Sequence, residues 1–258
     1  MKITVLGSGT SIGVPQIGCT CEVCTSQNPK DKRLRCSSLV ETADARLLID
    51  CTPDFRQQML SVPYERLDGV LITHEHYDHT GGIDDLRPFC RFDGNVDIYL
   101  DNYTATHLRE RLPYFFRTNL YPGVARITLR EVAPYDVFTI GETRITVLPV
   151  MHAHMPILGY RIDCPSGKSL GYITDMSTCD ERVPELLQGV DVLFVNALRF
   201  EPHPAHQTVD EAICFARRVG APTTRLIHFS HDIGLHEKTN ALLPQGIGLA
   251  YDGEVLEW

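Results

Sequence analysis

Seven consecutive residues constrain this chain more than any others: Thr73-His74-Glu75-His76-Tyr77-Asp78-His79, set directly behind the apolar run Val70-Leu71-Ile72. A short apolar and β-branched run reads as a buried strand, which leaves the polar cluster at its C-terminal tip. Side chains alternate along an extended backbone, so His74 and His76 project to one side. Gly81-Gly82 then marks a turn that swings Asp78 and His79 towards the same side. Three imidazoles and one carboxylate within six residues form a nitrogen/oxygen donor set suited to zinc, manganese or iron. A polar surface loop could also collect histidines, but it would not need a buried strand to deliver them. A metal site is expected here.

The 258 residues, 43% hydrophobic and 22% charged, suffice for one large α/β-type domain or two small ones, and no linker-like tract interrupts them. No apolar run approaches the roughly 20 residues of a membrane span. Met1 to Leu6 begins directly on a strand pattern, without the features of a secretory signal. A net charge of -9 argues against a protein that grips nucleic acid through a basic surface. Nine cysteines, an odd number, read as reduced thiols and metal ligands rather than disulfides, and a cytoplasmic location is expected.

Three of those cysteines fall within six residues, in Gly18-Cys19-Thr20-Cys21-Glu22-Val23-Cys24. Thiolates so spaced can converge on one tetrahedral ion, but a closed structural site needs a fourth ligand from elsewhere in the chain. Ile3-Thr4-Val5-Leu6 reads as a strand followed by the tight loop Gly7-Ser8-Gly9-Thr10-Ser11, which lacks the Lys of a nucleotide-binding loop. The basic run Lys30 to Arg35 is a solvated loop or a contact for an anionic substrate. Cys36 to Cys51 reads as a hairpin, and Thr52-Pro53-Asp54 opens a helix of about eight residues with Pro at an early helical position. Arg87 either binds a substrate phosphate bidentately or makes a surface ion pair. Asn102 to Leu112 has helical periodicity, and the aromatic segment 114–121 is a lid, a dimer contact or core filler. Strand patterns follow at 96–100, 145–150, 158–162, 170–175 and 190–197, helical patterns at 180–188 and 209–219. A last buried run, Thr224 to Phe229, carries His228 and is followed by His231.

His74-x-His76-x-Asp78-His79 resembles the signature of the metallo-β-lactamase superfamily. That resemblance implies an α+β fold, a four-layer αββα sandwich of two mixed β-sheets with flanking helices, and metals on the loops along one edge. It implies one hydrolase domain over residues 1–258, with a structural zinc loop at about residues 18–36. The Gly-x-Gly-Thr that ends the first strand, with Gly13-Val14-Pro15, is similar to the branch holding the tRNA 3′-processing ribonucleases and the phosphoribosyl cyclic phosphate phosphodiesterases of phosphonate breakdown. The Gly-Cys-x-Cys-x-x-Cys run resembles the phosphodiesterases in position and spacing. The likeness runs from about residue 3 to the C-terminus and is weakest over 80–140.

Carried over residue by residue, the resemblance implies that His74, His76 and His152 hold one divalent ion, that Asp78, His79 and His228 hold a second, and that Asp175 bridges the two. His154 competes with His152. Asp50 resembles the buried aspartate that orients ligands without touching metal. His206 resembles a general acid, with His203 as the competing candidate, and His231 resembles the histidine that closes the cysteine site. The ions implied are zinc or manganese, with iron admissible, in the active site, and one structural zinc beside Cys19, Cys21, Cys24 and His231. The expected activity is hydrolysis of a small, anionic, cyclic phosphodiester by dimetal-activated hydroxide, with Asp78 and His206 as catalytic groups. A tRNA 3′-processing ribonuclease is the alternative, and a non-catalytic metal-binding or redox-sensing protein ranks last. A homodimer is admitted; nucleic acid and membrane partners are not expected.

Overall fold

The computed structural model describes residues 1–119 and 123–258. Short runs of apolar and β-branched residues, many buried at every position, build its strands. In chain order these are β1 (Lys2–Gly7), β2 (Ser37–Glu41), β3 (Arg46–Ile49), β4 (Gly69–Leu71), β5 (Val96–Leu100), β6 (Ile127–Glu131) and β7 (Val137–Ile140). They continue with β8 (Thr143–His152), β9 (Met155–Asp163), β10 (Ser169–Ile173), β11 (Val192–Asn196), β12 (Thr223–Ile227), β13 (Ile247–Leu249) and β14 (Val255–Glu257). One sheet runs β14-β1-β2-β3-β4-β5-β6 and the other β13-β12-β11-β10-β9-β8-β7. Each is mixed. The strands β3 to β6 are parallel in the first and β10 to β13 in the second, while the remaining pairings are antiparallel.

Strands buried on both faces read as unbroken apolar runs, and β10 and β11 are buried at all five positions. The reason is that both sheets are covered twice. Between them lies a core that includes Val5, Leu47, Ile49, Ile145, Tyr160, Tyr172 and Phe194. Two further cores pack helices onto the outer faces, one around Val195, Phe215 and Leu226, the other around Leu48, Ile72 and Leu108. The helix Val209–Val219 starts with a capping box between Thr208 and Glu211 and stops at Gly220, whose φ of 74° few other residues adopt readily. The expected αββα sandwich is the observed fold.

Several local expectations change. The helix after Thr52 is only Phe55–Met59, with Asp54 as its N-cap, so Pro53 precedes the helix instead of opening it. The helix expected over 180–188 is confined to Arg182–Leu186. The central motif is not extended throughout: Tyr77–Thr80 forms one helical turn, closed by the Thr80 hydroxyl donating to the His76 carbonyl at 2.9 Å. Within the aromatic segment Phe115 belongs to the core under β4 and β5, with Tyr114 and Phe116 packed beside it; residues 120–122 lie outside the described residues. No helix among the described residues is long and apolar enough to cross a membrane.

Candidate metal centre

The C-terminal ends of the strands deliver the polar groups to one place. Asp50 follows β3, the histidine motif follows β4, His152 ends β8, Asp175 lies two residues beyond β10, and His228 follows β12. The backbone turns sharply at three of them, with φ values of 59° at Asp50, 57° at Asp175 and 57° at His228. A left-handed conformation at a non-glycine residue costs roughly 1–3 kcal/mol and persists only where the surroundings enforce it. Here it lifts each side chain out of its strand and aims it at a common centre.

Around that centre the donor atoms of His74, His76 and His152 lie within 4.8 Å of one another, and so do those of Asp78, His79, Asp175 and His228. His154, by contrast, is exposed and joins neither group, so His152 is the member of that pair brought to the centre. Asp50 lies one layer behind. Its carboxylate accepts from His79 Nδ1 at 2.7 Å and from the Thr73 amide at 2.8 Å, and it meets the Thr73 hydroxyl at 2.9 Å. Thr73 Oγ1 is also 3.0 Å from His74 Nδ1. With His74 Nδ1 donating to the hydroxyl and the hydroxyl donating on to Asp50, both imidazoles present an unprotonated Nε2 towards the centre. His152 is set in the same sense, because its Nδ1 sits 2.9 Å from the carbonyls of Asp175 and Ala205.

The atoms left over test whether a cation belongs here. Nε2 of His79 and Nε2 of His228 are buried and have no hydrogen-bond partner. His79 Nε2 faces Asp78 Oδ2 at 3.0 Å and Asp175 Oδ1 at 3.4 Å, while His228 Nε2 faces Asp175 Oδ2 at 3.2 Å. Imidazole lone pairs turned towards carboxylate oxygens repel unless something positive lies between them, and buried unpaired charge is costly. The electrostatics agree. Although burial alone would raise it, the neighbouring His79 and His228 hold the Asp78 carboxyl far below the usual carboxylate range. The same balance, with His228 first, depresses Asp175. Against its own desolvation, His79 is pushed up by Asp78, Asp50 and Asp175, so the carboxylates draw positive charge to its Nε2: a proton where no cation sits, and the cation in its place where one binds. Burial lowers His74 and His76, which keeps them neutral and able to ligate. The residues present fit divalent ions.

His206 stands against this set with its ring 4.7 Å from that of His152 and 5.0 Å from that of His228. Its Nδ1 is buried and unpartnered, 3.8 Å from Asp175 Oδ2, and burial followed by the His228 charge lowers its pKa to about 3. It also groups with His152 and Asp175 at ligand spacing. His203 lies one layer further out, its ring 5.1 Å from His206 and its Nδ1 accepting from the Ala205 amide at 3.2 Å. Arg87 is not brought to the centre; its guanidinium donates to exposed Asp84 at 2.6 and 2.8 Å, the surface ion pair that its position also allowed.

A second cluster forms where the three-thiol loop meets the loop after β12. The donor atoms of Cys19, Cys21, Cys24 and His231 lie within 4.8 Å of one another, with His231 Nδ1 at 3.2 Å from Cys21 Sγ and 3.6 Å from Cys19 Sγ. The Cys24 amide points at Cys21 Sγ and, with His231, lowers that thiol to about 6, whereas burial raises Cys24 to about 11. Four donors of this kind fit a closed site.

Two supporting residues escape the sequence reading. Thr73 reads there only as the end of a strand, yet its hydroxyl links Asp50 to His74. Asn196 is a buried polar residue ending the apolar β11; it clamps the backbone beyond Asp175, accepting from the Met176 amide and donating to the Met176 carbonyl at 2.9 Å each. A polar residue closing a buried strand is the signal for both.

The similarities to known proteins follow the same lines. A model of the β-lactamase superfamily domain matches residues 45–229. A crystal structure of a diphosphatase from the PhnP family is 40% identical with a TM-score of 0.90, covering 100% of this chain and 97% of that one. An octanoyltransferase of Porphyromonas gingivalis is 43% identical over 255 residues, 98% of this chain but 51% of the relative, so the chain spans about half the length of that protein. A ribonuclease Z of Thermosynechococcus vestitus is 31% identical over 174 residues, 63% of this chain and 36% of its own.

Proposed function

We propose, from the premise that this chain is a metal-dependent hydrolase of the β-lactamase superfamily, that its centre hydrolyses a small anionic phosphodiester of the phosphoribosyl cyclic phosphate type. The observation that carries the reading is the convergence of imidazoles and carboxylates from separate strand ends, with one further histidine, His206, beside them. His74, His76 and His152 would hold one ion, Asp78, His79 and His228 the other, and Asp175 both. Bound there, two divalent ions lower the pKa of water and neutralise charge on a phosphoryl group. The protein's part is to fix the donors beforehand. Asp50 holds His79 directly and His74 through Thr73, and two carbonyls hold His152, so little reorganisation accompanies reaction.

Expulsion of an alkoxide needs a proton, and His206 is the group proposed to give it. In the free protein its surroundings favour the neutral form. A phosphate anion beside the ring reverses that balance, because a nearby negative charge stabilises the imidazolium. The thiol cluster would hold a zinc that joins the loop of Cys19 to Cys24 to the segment after His228. A second reading within the same chemistry is favoured by the PhnP-family neighbour, which is called a diphosphatase. The ribonuclease reading is weakened by the net charge of -9, which repels a long polyanion beyond the reach of the ions. A panel of cyclic sugar phosphates, cyclic nucleotides, diphosphates and pre-tRNA, assayed at physiological salt with the metal-loaded protein, tests the ranking. Turnover of cyclic phosphates is expected; efficient trimming of pre-tRNA without it would replace this proposal with the ribonuclease.

A further inference from the structure

A groove with apolar walls lies away from the metal centre. It lies between the helix Phe55–Met59 and the segment Ile83–Phe89, encloses about 430 Å³, and is walled by Phe55, Met59, Leu60, Tyr64, Pro88 and Phe89. Leu60 is 72% exposed and Tyr64 54%. Single exposed apolar residues are ordinary, but adjoining ones in a concave surface mark an interaction site. The tyrosine is also held in place. Its ring packs on Phe89 and Phe92 at centroid distances of 5.4 and 5.1 Å, and its hydroxyl donates to the Pro88 carbonyl at 2.5 Å. A wall fixed in this way loses little side-chain entropy on binding. Three charged residues line the groove, Arg56, Arg91 and Asp85, so this patch is net positive on a chain of net charge -9.

What would cover it is indicated by the Porphyromonas gingivalis relative. There a region 43% identical to this chain, and covering 98% of it, shares a polypeptide about twice as long. Regions joined in one chain press on each other through about 600–1,500 Å². The metal centre must stay open to substrate, and no residue of the groove belongs to it. We propose that this groove docks a folded polypeptide of the kind that forms the remainder of that relative. The partner would insert apolar side chains between Leu60 and Tyr64 and set carboxylates against Arg56 and Arg91.

The test uses the full metal-loaded chain and, as the probe, the remainder of the relative expressed separately and shown to be folded by circular dichroism. Calorimetric titration should give micromolar binding, and hydrogen exchange should slow in 55–64 and 83–92. Leu60→Glu and the double variant Arg56→Glu/Arg91→Glu should each weaken binding about tenfold or more. Melting temperature and phosphodiester turnover of the variants should stay unchanged, which separates lost docking from lost folding. Absence of binding at 100-fold excess over a micromolar constant overturns the proposal, as does binding that survives Leu60→Glu or protects a different face. A concentration-dependent dimer abolished by Leu60→Glu overturns it too, in favour of a second copy as the occupant.

Discussion

The two candidate metal clusters are neighbours in the chain at one point only, where His228 and His231 leave the same strand three residues apart. Their construction differs throughout. The histidine/aspartate centre draws its groups from four strand ends, buries both carboxylates, and uses left-handed backbone at Asp175 and His228. Its imidazoles are pinned from behind by Asp50, Thr73 and main-chain carbonyls. The thiol cluster takes three groups from one short loop and one from another, and three of the four are only half-buried. Its sulfur atoms are supported by amides at 3.4 Å instead of by carboxylates. Soft thiolates select zinc, whereas the nitrogen/oxygen set accepts harder ions as well. The difference teaches that one strand end can serve chemistry and scaffolding together, with the two kept apart by donor type and by a single turn of backbone.

The comparison breaks most sharply at the shared carboxylates. Asp78→Ala or Asp175→Ala should lower turnover by about 10³-fold or more, beyond the roughly 10²–10³-fold of a single preorganised donor, because each carboxylate would also hold an ion. Elemental analysis should show that the active-site ions are diminished while one zinc per chain remains on the thiols. Near-normal turnover in either variant would remove these residues from the proposed centre.

Next in size is the proton donor. His206→Ala should retain both active-site ions and lose about 10²–10⁴-fold on a substrate with a poor leaving group, but much less on a nitrophenyl ester. Since a general acid acts only when protonated, the wild-type rate on the poor substrate should fall as pH rises through the His206 pKa of the complex, and this limb should vanish in the variant. Equal losses on both esters, or departure of a metal, would make His206 a ligand instead, a role its spacing to His152 and Asp175 also permits. The same pair of substrates applied to His203→Ala decides between the two histidines.

Thr73→Val sharpens the comparison at the level of support. It keeps the volume and the strand, and removes the hydroxyl that joins Asp50 to His74. A loss of roughly 10–100-fold in metal affinity or activity is expected. A variant indistinguishable from wild type in both would show that the His74 ring is held by packing alone.

How far these groups could be seen in the sequence depends on how local their physics is. The motif His74 to His79 and the thiol run are local, so spacing alone exposes them. The individual buried strands were legible as apolar runs, as in Val192–Val195 and Leu170–Ile173, but their arrangement as a sandwich came only from the family resemblance. His152, Asp175 and His228 are single polar residues after strands, and only the family resemblance singles them out; their left-handed backbone, which turns them inward, leaves no trace in composition. Helix boundaries failed where long-range contacts overruled composition: the Asp54 carboxylate accepts from Arg35 instead of capping, and Pro53 lies outside the helix. Arg87 was ambiguous for a related reason. The choice between phosphate and Asp84 is made by a 3-10 turn that brings residues three apart together.

The smallest change in turnover is expected at the thiols, and the reason lies in what else holds that loop. Arg33 is buried behind it, with its guanidinium over the Phe229 ring at 4.6 Å and donating to the Ser230 carbonyl and to Asp31 at 3.4 Å each. Asp31 in turn accepts from the Ser26 hydroxyl at 2.6 Å and the His236 amide at 2.8 Å. This network already ties residues 26–33 to 229–236, the segment that follows His228, without any ion. Cys21→Ser should therefore release one zinc per chain and lower the melting temperature, since metal binding is coupled to folding. Turnover per folded molecule should change less than about tenfold, because the His228 imidazole stays in place. The result to look for is zinc stoichiometry, melting temperature and turnover on the same preparation. An unchanged zinc count denies the site altogether. A collapse of turnover as deep as that of Asp78→Ala, in molecules that remain folded, would mean that the thiol cluster belongs to the chemistry and that the division between the two regions is wrong.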